Sequence, residues 1–112
     1  MTLVNAKTRN HQFLREMYAD RYFPDPLVDE GKAILVELCR QIETQQLTSE
    51  AEVFALTHAA TEAFNELDAK FQDQGSEIET AARECIASNF EFILTAYGFE
   101  VDLEEAIAPR DW

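Results

Sequence analysis

The sequence predicts an all-α fold: a single domain over residues 1–112, built as an antiparallel four-helix bundle with a short C-terminal fifth helix packed back on it. Two observations support this prediction. Apolar residues make up 46% of the 112-residue chain, which is enough to bury one core. Only three glycines and three prolines interrupt the chain, and the long segments between them repeat apolar residues with the helical period rather than the alternation of a strand.

The first two helices are separated by a turn that contains two prolines. The first helix is predicted from about Thr8 to Asp20, and the YFPDP segment ends it because a proline and the residue before it disfavour a helix. The second helix is predicted from about Pro26 to Thr44. Asp25 is its candidate N-cap, and Pro26 suits the first helical position.

A glycine lies on the apolar face of the second helix. Gly31 falls on the stripe formed by Leu27, Ile34, Leu35, Leu38 and Ile42. Glycine in a helix interior costs about 1 kcal/mol relative to alanine. We therefore expect a bulky side chain to pack over Gly31, with the Tyr22-Phe23 pair as the candidate.

The third and fourth helices are predicted to form an antiparallel hairpin. The third runs from its cap at Ser49 to about Gln72, and the fourth from about Glu77 to Tyr97. Two Ser-x-x-Glu capping boxes mark the starts: Ser49 with Glu52, and Ser76 with Glu79. Gly75 and Gly98 fit the left-handed positions that follow helix ends, so a tight turn at Gly75 would join the two helices.

The second half of the fourth helix is apolar around more than half of its circumference. The residues concerned are Phe90, Phe92, Ile93, Leu94 and Tyr97. A helix that packs on one side only does not need such a wide apolar face. Either the tail covers it, with a short helix from Asp102 to about Ala108, or a second copy does, which would make the protein a homodimer closed through Phe90, Phe92 and Leu94.

The closing residues Arg110, Asp111 and Trp112 are predicted to lock this tail onto the bundle. Trp112 supplies the largest apolar side chain, and we expect it to lie buried near Phe90 or Leu94. Arg110 and Asp111 can pair with each other, or Asp111 can cap a helix. An exposed Trp112 would instead be a hook for a partner protein.

The net charge of −13 restricts the partners that this chain can have. Residues 1–22 contain four basic and two acidic groups, so residues 23–112 contain 22 − 2 = 20 acidic and 9 − 4 = 5 basic groups. Such a surface repels the phosphates of nucleic acids and anionic membranes, and it attracts basic protein surfaces. We expect a basic protein partner, no nucleic acid and no membrane.

The acidic residues form two rows on the predicted hairpin. The rows are Glu62, Glu66 and Asp73 on the third helix, and Glu77, Glu84 and Glu91 on the fourth. Together they are the candidate surface for a basic protein. The alternative is a solvated face that only keeps the protein soluble.

Asn89 lies at the centre of the apolar stripe of the fourth helix, where an amide needs hydrogen-bond partners. We expect it to fix helix register or to cap backbone groups of the tail or of the proline turn. The alternative is a small-molecule pocket lined by Asn89, His58, Tyr22 and Phe23. His58 and Glu62 have the spacing of two metal ligands but lack a third, so a solvated pair is expected, with no metal and no cofactor.

The sequence offers no catalytic constellation, so an enzyme is not expected. Cys39 and Cys85 lie in apolar surroundings without a CxxC pair, which predicts free buried thiols and a reducing compartment. His11 lies near an unstructured start without a catalytic neighbour, and no glycine-rich phosphate loop exists. The start of the sequence lacks the apolar run of a signal peptide, so a cytoplasmic protein is expected.

Four segments of the chain form one recognisable pattern: MYADRYFPDPLVDEGKAILVELC, LTHAATEAFNELDAKF, GSEIETAARECIASNFEFILTAYGFE and IAPRDW. This pattern resembles a family of small acidic bacterial proteins of unknown function, over nearly the whole chain from Phe13 onward. The resemblance implies no catalytic residue and no cofactor.

The leading hypothesis is a protein-binding domain that uses its acidic hairpin face as an inhibitor, immunity-type or regulatory factor. One alternative is a small-molecule or metal-binding protein, or a minor enzyme, with its pocket at Asn89. The other alternative is a structural homodimer without catalytic activity, so the oligomeric state is left as monomer or homodimer.

Overall fold

A computed structural model describes residues 3–112, so residues 1 and 2 of the predicted domain lie outside the described part. The described chain is all-helical without strands, which confirms the predicted fold class. Its helices are α1 (Ala6–Arg9), α2 (Arg15–Tyr18), α3 (Asp25–Thr44), α4 (Glu50–Asp73), α5 (Thr80–Ala96) and α6 (Leu103–Ala106). Among these helices, none is both long enough and apolar enough to cross a lipid bilayer.

The two longest helices, α3 and α4, form a closely packed antiparallel pair. The Lys70 ammonium near the end of α4 lies 2.7 Å from a carboxylate oxygen of Glu30 near the start of α3. Buried leucines and phenylalanines fill the interface from both sides. α4 makes far fewer close backbone contacts with α5, which packs mainly on α1, α2, α3 and α6.

The connection between α4 and α5 is longer than the sequence predicts. Gly75 has the predicted left-handed conformation, with φ +78°. The Ser76 capping box does not form: α5 begins at Thr80, and its N-cap, Glu79, makes no side-chain cap. The carboxylate of Asp68 instead accepts a hydrogen bond of 2.8 Å from the backbone N–H of Ile78, which holds the connecting segment against α4. The predicted early start of this helix at Glu77 is therefore wrong.

The caps of the other helices follow the sequence more closely. Ser49 caps α4 as predicted, because its hydroxyl accepts from the Glu52 N–H at 3.2 Å and lies 3.2 Å from the Glu52 carboxylate. Asp102 caps α6 by accepting from the Glu104 N–H at 3.0 Å. At the start of α3 the N-cap is Pro24, with Asp25 as the first helical residue rather than the cap. Ser49 and Asp102 thus mark real helix starts, whereas Ser76 does not.

The predicted first helix is wrong, because the chain breaks into α1 and α2 around Leu14. Leu14 has a left-handed backbone with φ 57°, and its side chain is 0% exposed. A Cβ placed on Gly31 would lie only 2.9 Å from the Leu14 Cδ1 atom. Leu14, with Phe64 and Leu67 behind it, is therefore the bulky neighbour of the glycine, rather than Tyr22 or Phe23. Its burial outweighs the local helical preference of residues 8–20.

The wide apolar face of α5 is covered within the chain. Phe90 packs edge-to-face on Phe64, with ring centroids 5.9 Å apart. Leu94 packs with Val53 and Ala106 in a small cluster that the tail residues Phe99 and Val101 close. The tail thus covers Leu94 as the sequence predicts, and Phe90 and Leu94 are buried in a single chain, whereas Phe92 is half-buried beneath His11.

Candidate functional site

All six acidic residues of the predicted rows are exposed. Glu62, Glu66 and Asp73 belong to α4. On the other row only Glu84 and Glu91 lie on α5, because Glu77 precedes that helix. None of the six forms an ion pair with another described residue. α4 packs closely on α3 and not on α5, so α3 forms the surface next to the α4 row.

An apolar groove runs between α3 and α4. Two cavities of about 350 and 190 Å³ share the side chains of Ile34 and Ala63, so they form one continuous depression. Its floor consists of small and aliphatic residues: Ala33, Ile34, Leu38, Leu56, Ala59, Ala60, Ala63 and Leu67. We call this depression the α3–α4 groove.

Carboxylates line the edges of the α3–α4 groove. Glu30 and Glu37 lie on the α3 side and Glu66 lies on the α4 side. Glu62 and Asp73 fall within about 40° of Glu66 on the helical wheel, so the α4 row lies along the groove. Hydrogen bonds from Arg40 and Gln41 lower the pKa of Glu37 to about 2, so this carboxylate stays ionised at neutral pH.

Asn89 is buried as predicted, but its partners are at the break between α1 and α2 and not at the tail or the proline turn. Its side chain is 6% exposed. The amide nitrogen donates to the Cys85 carbonyl at 2.7 Å, and the amide oxygen accepts from the backbone N–H of Leu14 at 3.4 Å. The same oxygen lies 2.9 Å from Nε2 of His11. Asn89 thus supports the left-handed turn at Leu14.

A polar cleft of about 370 Å³ opens beside this amide. His11 lines the cleft, and its ring stacks on Phe92 with centroids 3.9 Å apart and packs edge-to-face on Phe13 at 4.8 Å. Sequence reasoning missed His11, because only the break at Leu14 brings residue 11 to α5. We call this cavity the His11 cleft.

The other predicted pocket residues lie elsewhere. His58 donates from Nε2 to the carbonyl oxygen of Glu105 at 2.7 Å and stacks on Phe54, so it holds α6 and is not a solvated partner of Glu62. Tyr22 packs edge-to-face on Phe23 at the proline turn, and Phe23 is buried against Phe71. Among the described residues, no three His, Cys, Asp or Glu side chains lie close enough to hold a metal ion.

The closing residues form the predicted tail lock, with partners that the sequence did not indicate. Trp112 is 8% exposed and packs on Phe64 at a centroid distance of 6.2 Å. Arg110 pairs with Glu104 at 3.1 Å rather than with Asp111. The Asn65 side chain donates to the Pro109 carbonyl at 3.0 Å and accepts from the Asp111 N–H at 2.8 Å. A single amide of α4 therefore holds the tail backbone on both sides of residue 110.

A second clamp, which sequence reasoning also missed, holds the N-terminal segment. The Glu43 carboxylate accepts from the N–H groups of Val4 at 2.9 Å and Asn5 at 3.1 Å, and from the hydroxyl of Tyr97. Burial by itself would raise the pKa of Glu43, but these hydrogen bonds outweigh it and hold the pKa below its usual value. The clamp ties the segment before α1 to both α3 and α5.

The two cysteines are free and buried, as predicted. Burial raises the pKa of Cys39 to about 12 and that of Cys85 to about 11. The Cys85 thiol lies 3.4 Å from a carboxylate oxygen of Glu16, which further disfavours the thiolate. Both side chains therefore lack the ionised form that a nucleophile needs.

A protein-family model matches most of the chain. Neither the search of curated proteins nor the search of solved structures found a protein similar to this chain. A family model described as "Family of unknown function (DUF5713)" matches residues 7–112. The match includes α2 to α6, the α3–α4 groove, the His11 cleft and the tail lock. The chain therefore belongs to the DUF5713 family, which is in agreement with the resemblance to a family of unknown function.

Proposed function

We propose that this protein is a binding domain whose α3–α4 groove holds an amphipathic, basic helix of a partner protein. The observation that supports this proposal is an open apolar groove with an acidic edge, which no described segment of the chain fills. A helix that places its apolar side chains in such a groove is a common mode of peptide recognition.

The dimensions of the groove suit a helix of a few turns. The lining residues of α3 extend from Glu30 to Gln41. At 1.5 Å per residue this distance is roughly 16 Å, or about three helical turns. The alanines at positions 33, 59 and 63 leave space for larger side chains of a partner.

The charges favour a basic helix over an acidic one. Three carboxylates and one ammonium line the groove, namely Glu30, Glu37, Glu66 and Lys70. Glu62 and Asp73 add negative charge beside it, and the protein as a whole carries −13. Glu30 and Glu37 are already paired with Lys70 and Arg40, so the unpaired negative charge lies on the α4 edge, at Glu66 with Glu62 and Asp73 beside it. An acidic peptide would meet like charges along that edge, whereas lysines flanking an apolar stripe would meet carboxylates. A domain of this kind would act as an inhibitor or a regulatory factor of the protein that it binds.

Two labelled synthetic peptides test the proposal. Both carry the same leucine stripe at helical spacing, and they differ only in flanking lysines or flanking glutamates. We expect the lysine peptide to bind the full chain in an anisotropy titration and the glutamate peptide not to bind. Raising the salt concentration from about 50 to about 200 mM should weaken the complex, because salt screens the attraction between the carboxylates of the groove and the lysines of the peptide.

Two double variants distinguish binding in the α3–α4 groove from attraction by the total negative charge of the protein. Glu62→Lys with Glu66→Lys reverses two charges beside the groove, and at up to about 1 kcal/mol each it should weaken binding roughly 5- to 30-fold. Glu84→Lys with Glu91→Lys makes the same change in charge on α5 and is the matched control. Equal weakening by both pairs would show that the peptide senses only the total charge, and the groove would not be the site.

A further inference from the structure

The His11 cleft is a second candidate binding site, independent of the α3–α4 groove. The cleft contains an aromatic ring pair, a fixed amide and two charged side chains that have no ion-pair partner among the described residues, Arg15 and Glu16. Neighbours in sequence on a helix project about 100° apart and do not face each other. One positive and one negative group thus lie in the same cavity without neutralising each other.

The hydrogen bonds around Asn89 determine which nitrogen of His11 is free. The amide oxygen must face Leu14, because a backbone N–H can only donate, and the amide nitrogen must face the Cys85 carbonyl, which can only accept. The oxygen therefore accepts from Nε2–H of His11. In the neutral imidazole this leaves Nδ1 as an acceptor, and Nδ1 makes no hydrogen bond within the described chain.

We propose that the His11 cleft binds a free amino acid as its zwitterion, with the carboxylate on Arg15 and the ammonium on Glu16 and Nδ1 of His11. The guanidinium matches a carboxylate as a two-pronged donor. The ammonium has three protons to donate, and the Ser88 hydroxyl in the cleft wall is a third acceptor. Each charged group of the ligand thus meets an opposite charge.

The overall charge of the protein favours a zwitterion over a simple anion. A chain of net charge −13 repels a phosphate or a dicarboxylate at long range, whereas a ligand of zero net charge is not repelled. The volume of about 370 Å³ lies within the range of pockets that bind small molecules. The stacked rings of His11 and Phe92 give the cleft one flat aromatic wall, which can contact an apolar side chain.

The test uses the full chain and the L-amino acids one at a time, each at millimolar concentration. At least one of them should raise the melting temperature and shift the amide signals of residues 11, 15 and 89 in a two-dimensional NMR spectrum. Its N-acetyl derivative lacks the ammonium and its methyl ester lacks the carboxylate. Each derivative should bind at least about tenfold more weakly, as expected for the loss of a charge-assisted contact.

Variants provide the matched controls. Arg15→Gln and Glu16→Gln are changes at exposed positions and should each abolish the NMR shifts, whereas Arg83→Gln on α5 should leave them unchanged. The proposal is overturned if no amino acid shifts these signals, or if the shifts persist in Arg15→Gln. It is equally overturned if the N-acetyl derivative binds as well as the amino acid, because the cleft would then recognise only an anion.

Discussion

Replacement of Asn89 by leucine tests how the break between α1 and α2 is held. Leucine has the same number of side-chain heavy atoms as asparagine and the same branching at Cγ, but it offers no hydrogen bond, so the change removes the polar contacts without creating a cavity. Three contacts disappear: those to the Leu14 N–H, to His11 and to the Cys85 carbonyl. The backbone N–H of Leu14 is buried and has no other partner within the described chain. Leaving this N–H without a hydrogen bond should therefore account for the largest part of the lost stability.

The size of the effect follows from these three contacts. A buried donor left unpaired costs about 1–3 kcal/mol, and the 3.4 Å length of the Leu14 bond argues for the lower half of that range. His11 is only half-buried, so water can replace part of its contact, and the Cys85 carbonyl keeps its place in α5. We therefore expect Asn89→Leu to lower the free energy of unfolding by about 2–3 kcal/mol.

Urea unfolding followed by circular dichroism measures this difference. Ser88→Ala, at the exposed neighbouring position, is the control and should change the free energy of unfolding by less than about 0.5 kcal/mol. A loss below about 0.5 kcal/mol in Asn89→Leu would refute the argument that this amide stabilises the turn.

Three further predictions concern the clamps and the thiols. Because hydrogen bonds lower its folded pKa, Glu43 should stabilise the fold above its ordinary pKa of 4.5 and lose that effect as the pH falls further. Wild type and Glu43→Gln should therefore differ by about 1–2 kcal/mol in the free energy of unfolding at pH 7, and this difference should shrink as the pH falls below 4.5 in urea titrations. Asn65→Ala removes both amide contacts to the tail and should lower the free energy of unfolding by about 1–2 kcal/mol. The fluorescence of Trp112 should shift to longer wavelength, and an unchanged spectrum would contradict the tail lock. Neither Cys39 nor Cys85 should react with Ellman's reagent at pH 8 in the folded protein, and both should react in urea; rapid reaction without denaturant would show that the thiols are accessible.

The helices that the sequence predicts well are those with strong local signals. α3 and α4 combine a long apolar stripe with a proline or a capping box at the start, and their observed ends lie within one residue of the predicted ones. The covered face of α5 and the burial of Trp112 were also predictable, because a wide apolar face needs a cover and the tail is the nearest apolar segment.

The features that the sequence did not indicate depend on contacts between distant residues. Leu14 leaves the helical conformation because Gly31 offers space for its side chain and Asn89 accepts from its N–H, 75 residues away in sequence. The same break places His11 on α5. Glu43 accepts hydrogen bonds from backbone groups 38 and 39 residues away, and no local sequence pattern predicts such a contact. Both candidate sites therefore follow from packing, although the residues of the α4 acidic row were recognisable from their spacing.

The most direct test of the proposed function is to map the lysine peptide on the isotope-labelled full chain by two-dimensional NMR. If the α3–α4 groove is the binding site, the largest shifts will fall on Ile34, Ala59 and Ala63, and the signals of Glu84 and Glu91 will stay in place. Shifts that concentrate on α5, or that spread evenly over the acidic surface, would contradict the assignment of this groove as the site that binds a partner.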